Sequence, residues 1–185
     1  TETKNALNFH TELNEPSGVF VSPDGKLFIT DFGNNRVLIY NTVPTINGAK
    51  ADVVIGQLNM YSNLSGNAAN QMSAPTFVAL SPDGKLIVND PGISGENSRV
   101  LIFNSVPTEN GASADVVIGQ SDFGVGGSGC SQTKMYYQFG VTVSPSGELA
   151  VGSFGNNRVL IYNKIPDTNG APADYVLGQP DFTSN

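Results

Sequence analysis

The sequence predicts an all-β fold made of three tandem copies of one four-stranded antiparallel unit. Glycine and proline are frequent, at 21 and 11 of 185 residues, and no long apolar run follows helical spacing. A block of Arg-Val-Leu-Ile, an aromatic residue and Asn occurs three times, with the same motifs on either side. Each copy offers short β-branched or aromatic segments separated by turn residues, which is typical of strands.

The repeat is defined by three motifs in a fixed order. The Arg-Val-Leu-Ile block follows a Ser-Pro-Asp-Gly or Ser-Pro-Ser-Gly turn and precedes Val-Ile-Gly-Gln or Val-Leu-Gly-Gln. The spacing from Arg to the closing Gln is 21 in every copy, whereas the second copy carries a four-residue insertion before its Arg. Long connectors join the copies, which the motifs place at approximately 16–57, 75–120 and 139–179.

Each copy is expected to form a meander of four strands. In the first copy the Pro-Asp-Gly turn predicts a tight hairpin, because proline fixes φ and glycine accepts a positive φ. The alternation of short strands and turns then continues to the closing glutamine. The predicted strands of this copy are 18–22, 26–31, 36–41 and 51–57.

A unit of this size cannot bury both faces of its own sheet, so neighbouring units must cover it, as in the blades of a β-propeller. The segments 31–37 and 153–159, which read DFGNNRV and SFGNNRV, resemble the Asp-x-x-Asn-x-Arg-[IV] signature of NHL-repeat propellers. The middle copy departs from it by inserted residues between Asp90 and Arg99, and the third has Ser153 where the signature has Asp. The resemblance implies the propeller fold but no single function.

Three blades leave two sheet faces open, because propellers contain about four to eight blades. Two chains joined head to tail would make a six-bladed ring by self-association. The remaining blades of a longer chain would close the ring equally well. The sequence leaves both possibilities open, so the fold expected here is three blades, half of a six-bladed ring.

The repeated Asn-Asn-Arg residues are interpreted as structural. Asparagine tolerates the left-handed conformation, and arginine donates up to five hydrogen bonds, which suits locking a loop to its surroundings. The residues given this role are Arg36, Arg99, Arg158, Asn35 and Asn157.

Two aspartates are candidates for a metal site. Asp31 and Asp90 lie at the end of the second predicted strand of their copies, where carboxylates near the ring axis could hold calcium. No D-x-D-x-D-G loop accompanies them. The prediction is therefore no cofactor, with calcium as the alternative.

Composition argues against several other classes of function. The net charge of −7 repels nucleic acid, and no apolar run is long enough for a membrane span. His10 is the only histidine, so one chain cannot build a histidine-rich zinc site. The sequence shows no pattern of a nucleophile beside a base, so no catalytic residue is predicted. The abundance of Asn, Gly and Ser with few Lys favours an extracellular or periplasmic protein.

Strand alternation places the loop after the second strand on the same face of the ring as the connectors, and this face is where a partner is expected. The function predicted is a non-catalytic binding or assembly scaffold for a protein, peptide or glycan. The alternative is a propeller enzyme, lyase or lactonase-like, with a metal on the ring axis. The candidate partner-binding residues are Tyr136, Tyr137, Ile93, Glu96, Tyr61 and His10.

Overall fold

The computed structural model describes residues 12–185 and contains three sheets, each of four antiparallel strands. Within every sheet the strands are hydrogen-bonded in chain order, which is the predicted meander. In the described residues the helical segments are two single 3-10 turns, Phe32–Asn34 and Phe154–Asn156. The predicted all-β architecture of four-stranded blades is therefore confirmed.

The three sheets, called blades 1, 2 and 3 in chain order, have closely similar strands. Blade 1 consists of β1 (Pro16–Val21), β2 (Leu27–Asp31), β3 (Arg36–Tyr40) and β4 (Val53–Ile55). Blade 2 consists of β5 (Val78–Leu80), β6 (Leu86–Asp90), β7 (Arg99–Phe103) and β8 (Val116–Ile118). Blade 3 consists of β9 (Gln138–Val143), β10 (Leu149–Ser153), β11 (Arg158–Tyr162) and β12 (Tyr175–Leu177).

The first hairpin of each blade is closed by the Ser-Pro-x-Gly turn. In blade 1 the Ser22 N–H donates to the Lys26 carbonyl at 2.9 Å, and Gly25 adopts a φ of 88°, which suits glycine. The fourth strand is shorter than predicted, at Val53–Ile55, because β3 pairs with only three residues of it.

The apolar cores lie between the blades. Blade 1 and blade 2 share a core, to which Phe28 and Ile55 contribute from one side and Leu101 from the other. Blade 2 and blade 3 share a second core, which includes Ile102 and Leu160. Each blade is therefore stabilised by its neighbour, as expected for a unit that cannot bury both of its faces alone.

The outer faces of the end blades differ from these cores. On blade 1, Leu38, Tyr40 and Val54 form a small buried cluster with Met60, while Val19 and Val21 of β1 are exposed. On blade 3 the outer strand β12 is largely exposed. No helix among residues 12–185 is long and apolar enough to cross a membrane.

Candidate functional site: the connector face

The loop between β2 and β3 and the connectors meet on one face of the blades, here called the connector face. Asn35, in the left-handed conformation with a φ of 54°, joins the two. Its Nδ2 donates to the Asn63 carbonyl at 2.9 Å, and its Oδ1 accepts from the Ala74 N–H at 2.8 Å. The loop of blade 1 is thereby fixed to the connector that enters blade 2.

Asp31 and Asp90 do not lie open to solvent on this face. Asp31 is fully buried, and its Oδ2 lies 2.7 Å from the Nε of Arg36. Its Oδ1 accepts from the Asn14 N–H at 2.7 Å. Asp90 makes the same ion pair with Arg99 at 2.7 Å. Both oxygens of each carboxylate are engaged inside the blade, so calcium would have to displace these partners to bind there.

The electrostatics of the Asp90 pair show the cost of this arrangement. Burial raises the pKa of the Asp90 carboxyl, against the opposing charge of Arg99 and the hydrogen bonds from Ser73 and Asn97. A buried carboxylate therefore depends on its arginine partner. Among residues 12–185, no three His, Cys, Asp or Glu side chains come close enough to hold a metal ion.

The guanidinium groups of the repeated arginines bind connector carbonyls. The Nη1 of Arg36 donates to Met60 at 2.8 Å, and the Nη2 of Arg99 donates to Gln71 at 2.9 Å. The Nη2 of Arg158 donates to Lys134 at 2.8 Å. Each arginine thus holds the connector backbone against its own blade.

Blade 3 differs because Ser153 occupies the position of the aspartate. Its Oγ still accepts from the connector, through the Tyr136 N–H at 3.0 Å, as Asp31 does from Asn14. Ser153 supplies no negative charge, and the buried Nε of Arg158 has no hydrogen-bond partner within the described part of the chain.

Four aromatic side chains of blade 3 and its connector form a continuous patch, called the aromatic surface: Tyr136, Tyr137, Phe139 and Phe154. The ring centroids of Tyr137 and Phe139 are 5.0 Å apart, and those of Phe139 and Phe154 are 5.3 Å apart, both edge to face. Tyr136 and Tyr137 are 6.5 Å apart. Phe154 is 66% exposed, so much of this apolar surface faces solvent.

Two glycines position the Tyr136 ring. A Cβ atom built on Gly95 would lie 2.7 Å from the ring, and one built on Gly155 would collide with it. The Gly155 N–H also donates to the Tyr136 carbonyl at 2.9 Å. The ring is therefore held between the inserted loop of blade 2 and the 3-10 turn of blade 3.

The inserted loop of blade 2 is ordered by Glu96. Its carboxylate accepts from the N–H groups of Ile93 at 3.0 Å and Ser94 at 2.8 Å, and from the Ser73 hydroxyl at 3.0 Å. Partial burial acts to raise the pKa of Glu96, but the Ser94, Glu96 and Ile93 N–H groups outweigh it and hold the pKa below its ordinary value. Ile93, in contrast, is exposed at the tip of the loop.

The sequence-predicted partner residues do not all come together. Tyr136 and Tyr137 lie in the aromatic surface, and Ile93 and Glu96 lie in the inserted loop whose Gly95 contacts Tyr136. Tyr61 is exposed in another connector, and His10 lies outside the described residues. Sequence reasoning missed Phe139 and Phe154, because they belong to strand and turn motifs and no local pattern marks them.

A second concave region lies on the opposite face. A cavity of roughly 510 Å³ opens between the first hairpins of the three blades, with Phe20, Leu80 and Val143 in its lining. The polar groups beside it are paired with one another, since the Ser22 hydroxyl donates to Asp24. The cavity therefore lacks the convergent free polar groups that orient a small ligand.

The family model for the NHL repeat matches residues 13–40, which are the first three strands of blade 1 and the residues before them. Residues 13–40 carry an NHL repeat. The predicted resemblance to NHL-repeat propellers is confirmed by this match. No curated protein sequence matches the chain.

Solved structures similar to this chain include three bacterial enzymes. Virginiamycin B lyase from Staphylococcus aureus has a TM-score of 0.48 and 14% identity, over 95% of this chain and 45% of the other. Aldose sugar dehydrogenase from Streptomyces coelicolor, bound to PQQ, has a TM-score of 0.47 and 17% identity, over 96% and 51%. A gluconolactonase from Xanthomonas campestris has a TM-score of 0.27 and 13% identity, over 96% and 80%. The chain thus spans about half the length of the first two.

Proposed function

We propose that this chain forms part of a non-catalytic binding module that holds an apolar peptide segment of a protein partner on its connector face. The observation that carries the proposal is the aromatic surface, in which Phe154 is 66% exposed beside Phe139 and Tyr136. Exposed aromatic rings on a rigid scaffold supply a large contact area at low entropic cost.

The chemistry of the surface favours a peptide over a glycan. The rings of Phe139 and Phe154 meet edge to face, and the loop whose Gly95 contacts Tyr136 also exposes Ile93, so the area offered is mainly apolar. The nearby Glu96 carboxylate is already bonded to the backbone of its own loop and is not free to orient sugar hydroxyls. The net charge of −7 favours a peptide with basic flanking residues.

The buried ion pairs argue against the enzyme alternative with a metal on the ring axis. The carboxylates of Asp31 and Asp90 are bonded to arginines and backbone N–H groups. Their oxygens are engaged in holding the blades together, which leaves them unsuited to coordinate an ion or to move a proton.

The test is selection of peptides from a phage-displayed random library on the immobilised full chain, followed by binding measurements with the selected peptides. We expect peptides with aromatic or aliphatic residues beside basic residues. Phe154→Ser should weaken their binding about tenfold or more, because it removes an exposed ring at the edge of the surface.

Val43→Ser is the matched control, since it removes an exposed apolar side chain from the loop on the opposite face. Peptide binding should not change in this variant. Selected peptides that bind wild type and Phe154→Ser equally, or a failure to select peptides together with binding to a glycan array, would overturn the proposal.

A further inference from the structure

The outer face of blade 3 exposes the side chains that the other blades bury in their cores. On β12, Tyr175 and Leu177 are each 57% exposed, whereas the equivalent Val53 and Ile55 of β4 are 5% and 0% exposed. Beside them, Ile161 is only half-buried, although its equivalent in blade 1, Ile39, belongs to the core with blade 2. This face therefore exposes the apolar side chains that lie buried at the boundaries between blades.

The two internal boundaries share a backbone contact, here called the Asn-Gly clasp. At the boundary of blades 1 and 2, Val54 N–H donates to Oδ1 of Asn110 at 2.9 Å, and Gly111 N–H donates to the Val54 carbonyl at 3.0 Å. At the next boundary Val117 N–H donates to Oδ1 of Asn169 at 3.0 Å, and Gly170 N–H donates to the Val117 carbonyl at 2.9 Å. The turn of each following blade thus binds the outer strand of the blade before it.

Both halves of a third clasp are present and unused. Blade 1 carries the Asn47-Gly48 turn, which is exposed, and a Cβ on Gly48 would meet nothing within 4 Å. Blade 3 carries Val176, which pairs with Leu160 as Val54 pairs with Leu38. No Asn-Gly turn lies against Val176 in residues 12–185.

A second contact, here called the plug, also repeats at the two internal boundaries: a connector side chain packs against a glycine of the preceding blade. Met72 of the first connector packs against Gly56 so closely that a Cβ there would lie 2.8 Å from its Sδ, and Met135 packs against Gly119. Gly178 is the equivalent glycine of blade 3, and no connector side chain lies against it in the described part of the chain. Leu13 is the equivalent plug residue ahead of blade 1, and it is 39% exposed.

The loop asparagine supplies a third matching pair. Asn35 of blade 1 accepts a hydrogen bond from the N–H of Ala74, whose φ is 52°. Asn157 has the same left-handed conformation on blade 3 but is exposed, with no side-chain hydrogen bond among the described residues. Glu15, whose φ is also 52°, presents the equivalent backbone N–H ahead of blade 1.

We infer that the outer face of blade 3 binds blade 1 of a second copy of this chain, head to tail. In this contact the Asn47-Gly48 turn of the second copy clasps Val176, its Leu13 fills the space at Gly178, and its Glu15 N–H reaches Asn157. The two halves are complementary, because they are equivalent to the groups that meet at the two internal boundaries between blades. Two copies make two such contacts, and a heterologous contact that closes after two steps gives a ring of six blades.

The experiment is light scattering of the full chain across a dilution series, with sedimentation velocity to resolve the species present. We expect a dimer that dissociates on dilution, without larger species. Asn47→Ala removes the Oδ1 acceptor from both contacts of the dimer, so the dissociation midpoint should rise by about tenfold per contact.

Asn110→Ala is the matched control, because it removes the same group from a clasp inside the chain. It should lower thermal stability and leave the dimer midpoint unchanged. Leu177→Asp, which places a charge on the exposed face of β12, should give a monomer with an unchanged circular dichroism spectrum.

Three results would overturn the inference. They are a mass that stays monomeric at every concentration, a dimer whose midpoint is the same in wild type and Asn47→Ala, and a mass that grows continuously with concentration. The test is independent of peptide binding, because light scattering and sedimentation are carried out on the chain alone.

Discussion

The residue at the end of the second strand determines how the arginine of each blade is neutralised. Asp31 and Asp90 pair with Arg36 and Arg99, and both ion pairs are fully buried. Ser153 keeps the hydrogen bond to the connector N–H but supplies no counter-charge for the arginine of blade 3. A buried charge without its partner costs stability, so blade 3 is expected to be the least stable blade.

Exchanging the two residue types tests this account. Ser153→Asp should stabilise the chain by roughly 1 kcal/mol, because the gain from pairing the Nε of Arg158 exceeds the desolvation of the new carboxylate. The reciprocal change, Asp90→Ser, should cost about 3 kcal/mol, because it removes a partner from a formed buried pair. Urea unfolding of both variants measures the two effects. A destabilising Ser153→Asp would show that blade 3 has no room for the pair.

In blades 1 and 2 the sequence has an aspartate before the repeated arginine, but the separation between them differs, so the ion pair was not predicted. Asp31 lies five residues before Arg36, whereas the insertion places Asp90 nine residues before Arg99. Asparagine's tolerance of positive φ explains Asn35 and Asn157 from residue type alone. Whether an aspartate faces an arginine or solvent depends on how the strand ends, which the residue type does not determine.

At the scale of an element, the inserted loop of blade 2 is organised by one carboxylate. Three donors converge on Glu96, two from the backbone of the loop and one from Ser73 in the connector. Asn97 continues the contact by donating to the Gly66 carbonyl at 3.0 Å. The loop therefore presents Ile93 on a fixed base beside the aromatic surface.

The folded state lowers the pKa of Glu96, and this determines the pH dependence of the loop's contribution. Its stabilisation is complete above the unfolded pKa and is lost as pH falls through the lower folded value. Glu96→Gln should lower the melting temperature at pH 7 by about 2 °C. The difference from wild type should shrink as the pH falls below about 4.5.

Calorimetric melting from pH 7 to pH 3 measures this effect. Glu109→Gln is the control, since Glu109 is exposed and accepts no hydrogen bond from the described part of the chain. A Glu96→Gln deficit that stays constant down to pH 3 would mean that the carboxylate charge does not order the loop.

The strands and turns could be predicted from the sequence, whereas the contacts between blades could not. Strand alternation and the Ser-Pro-x-Gly turns predicted the meander, since both follow from local chemistry. The Asn-Gly turns connect the third and fourth strands of their blades, but Asn110 and Asn169 also bind the strand of the preceding blade. That second role depends on the neighbouring blade, which lies 52 to 56 residues away in sequence.

For the whole molecule, stability comes from the boundaries between blades, and the three blades do not share them equally. Blade 2 has a core on each side, whereas blade 3 has a core only on its side towards blade 2. The repeat predicted three blades, and the usual number of blades in a propeller predicted open end faces. It did not predict that the open faces carry matching clasp halves, because the clasp involves two residues that the sequence places in different motifs.

Because blade 2 is covered on both faces and blade 3 on one, their backbone amides are expected to exchange with solvent differently. The Val117 N–H of β8 is buried and clasped by Asn169, whereas the Val176 N–H of β12 lacks that clasp within one copy. In dilute solution Val176 should therefore exchange by local fluctuation, and Val117 only by larger opening of the blades. As the concentration passes the dimer midpoint, protection of Val176 should rise, because Asn47 of a second copy then accepts its hydrogen bond.

Hydrogen exchange followed by NMR at several protein concentrations measures both amides in one sample. In Asn47→Ala the protection of Val176 should stay low at concentrations where wild type is dimeric, while protection of Val117 should match wild type. Protection of Val176 that rises equally in wild type and Asn47→Ala would contradict the clasp, because some other contact would then cover β12. Protection that is high in both amides even in dilute monomer would contradict the account of blade 3 as an open boundary, since an uncovered edge strand is expected to fray.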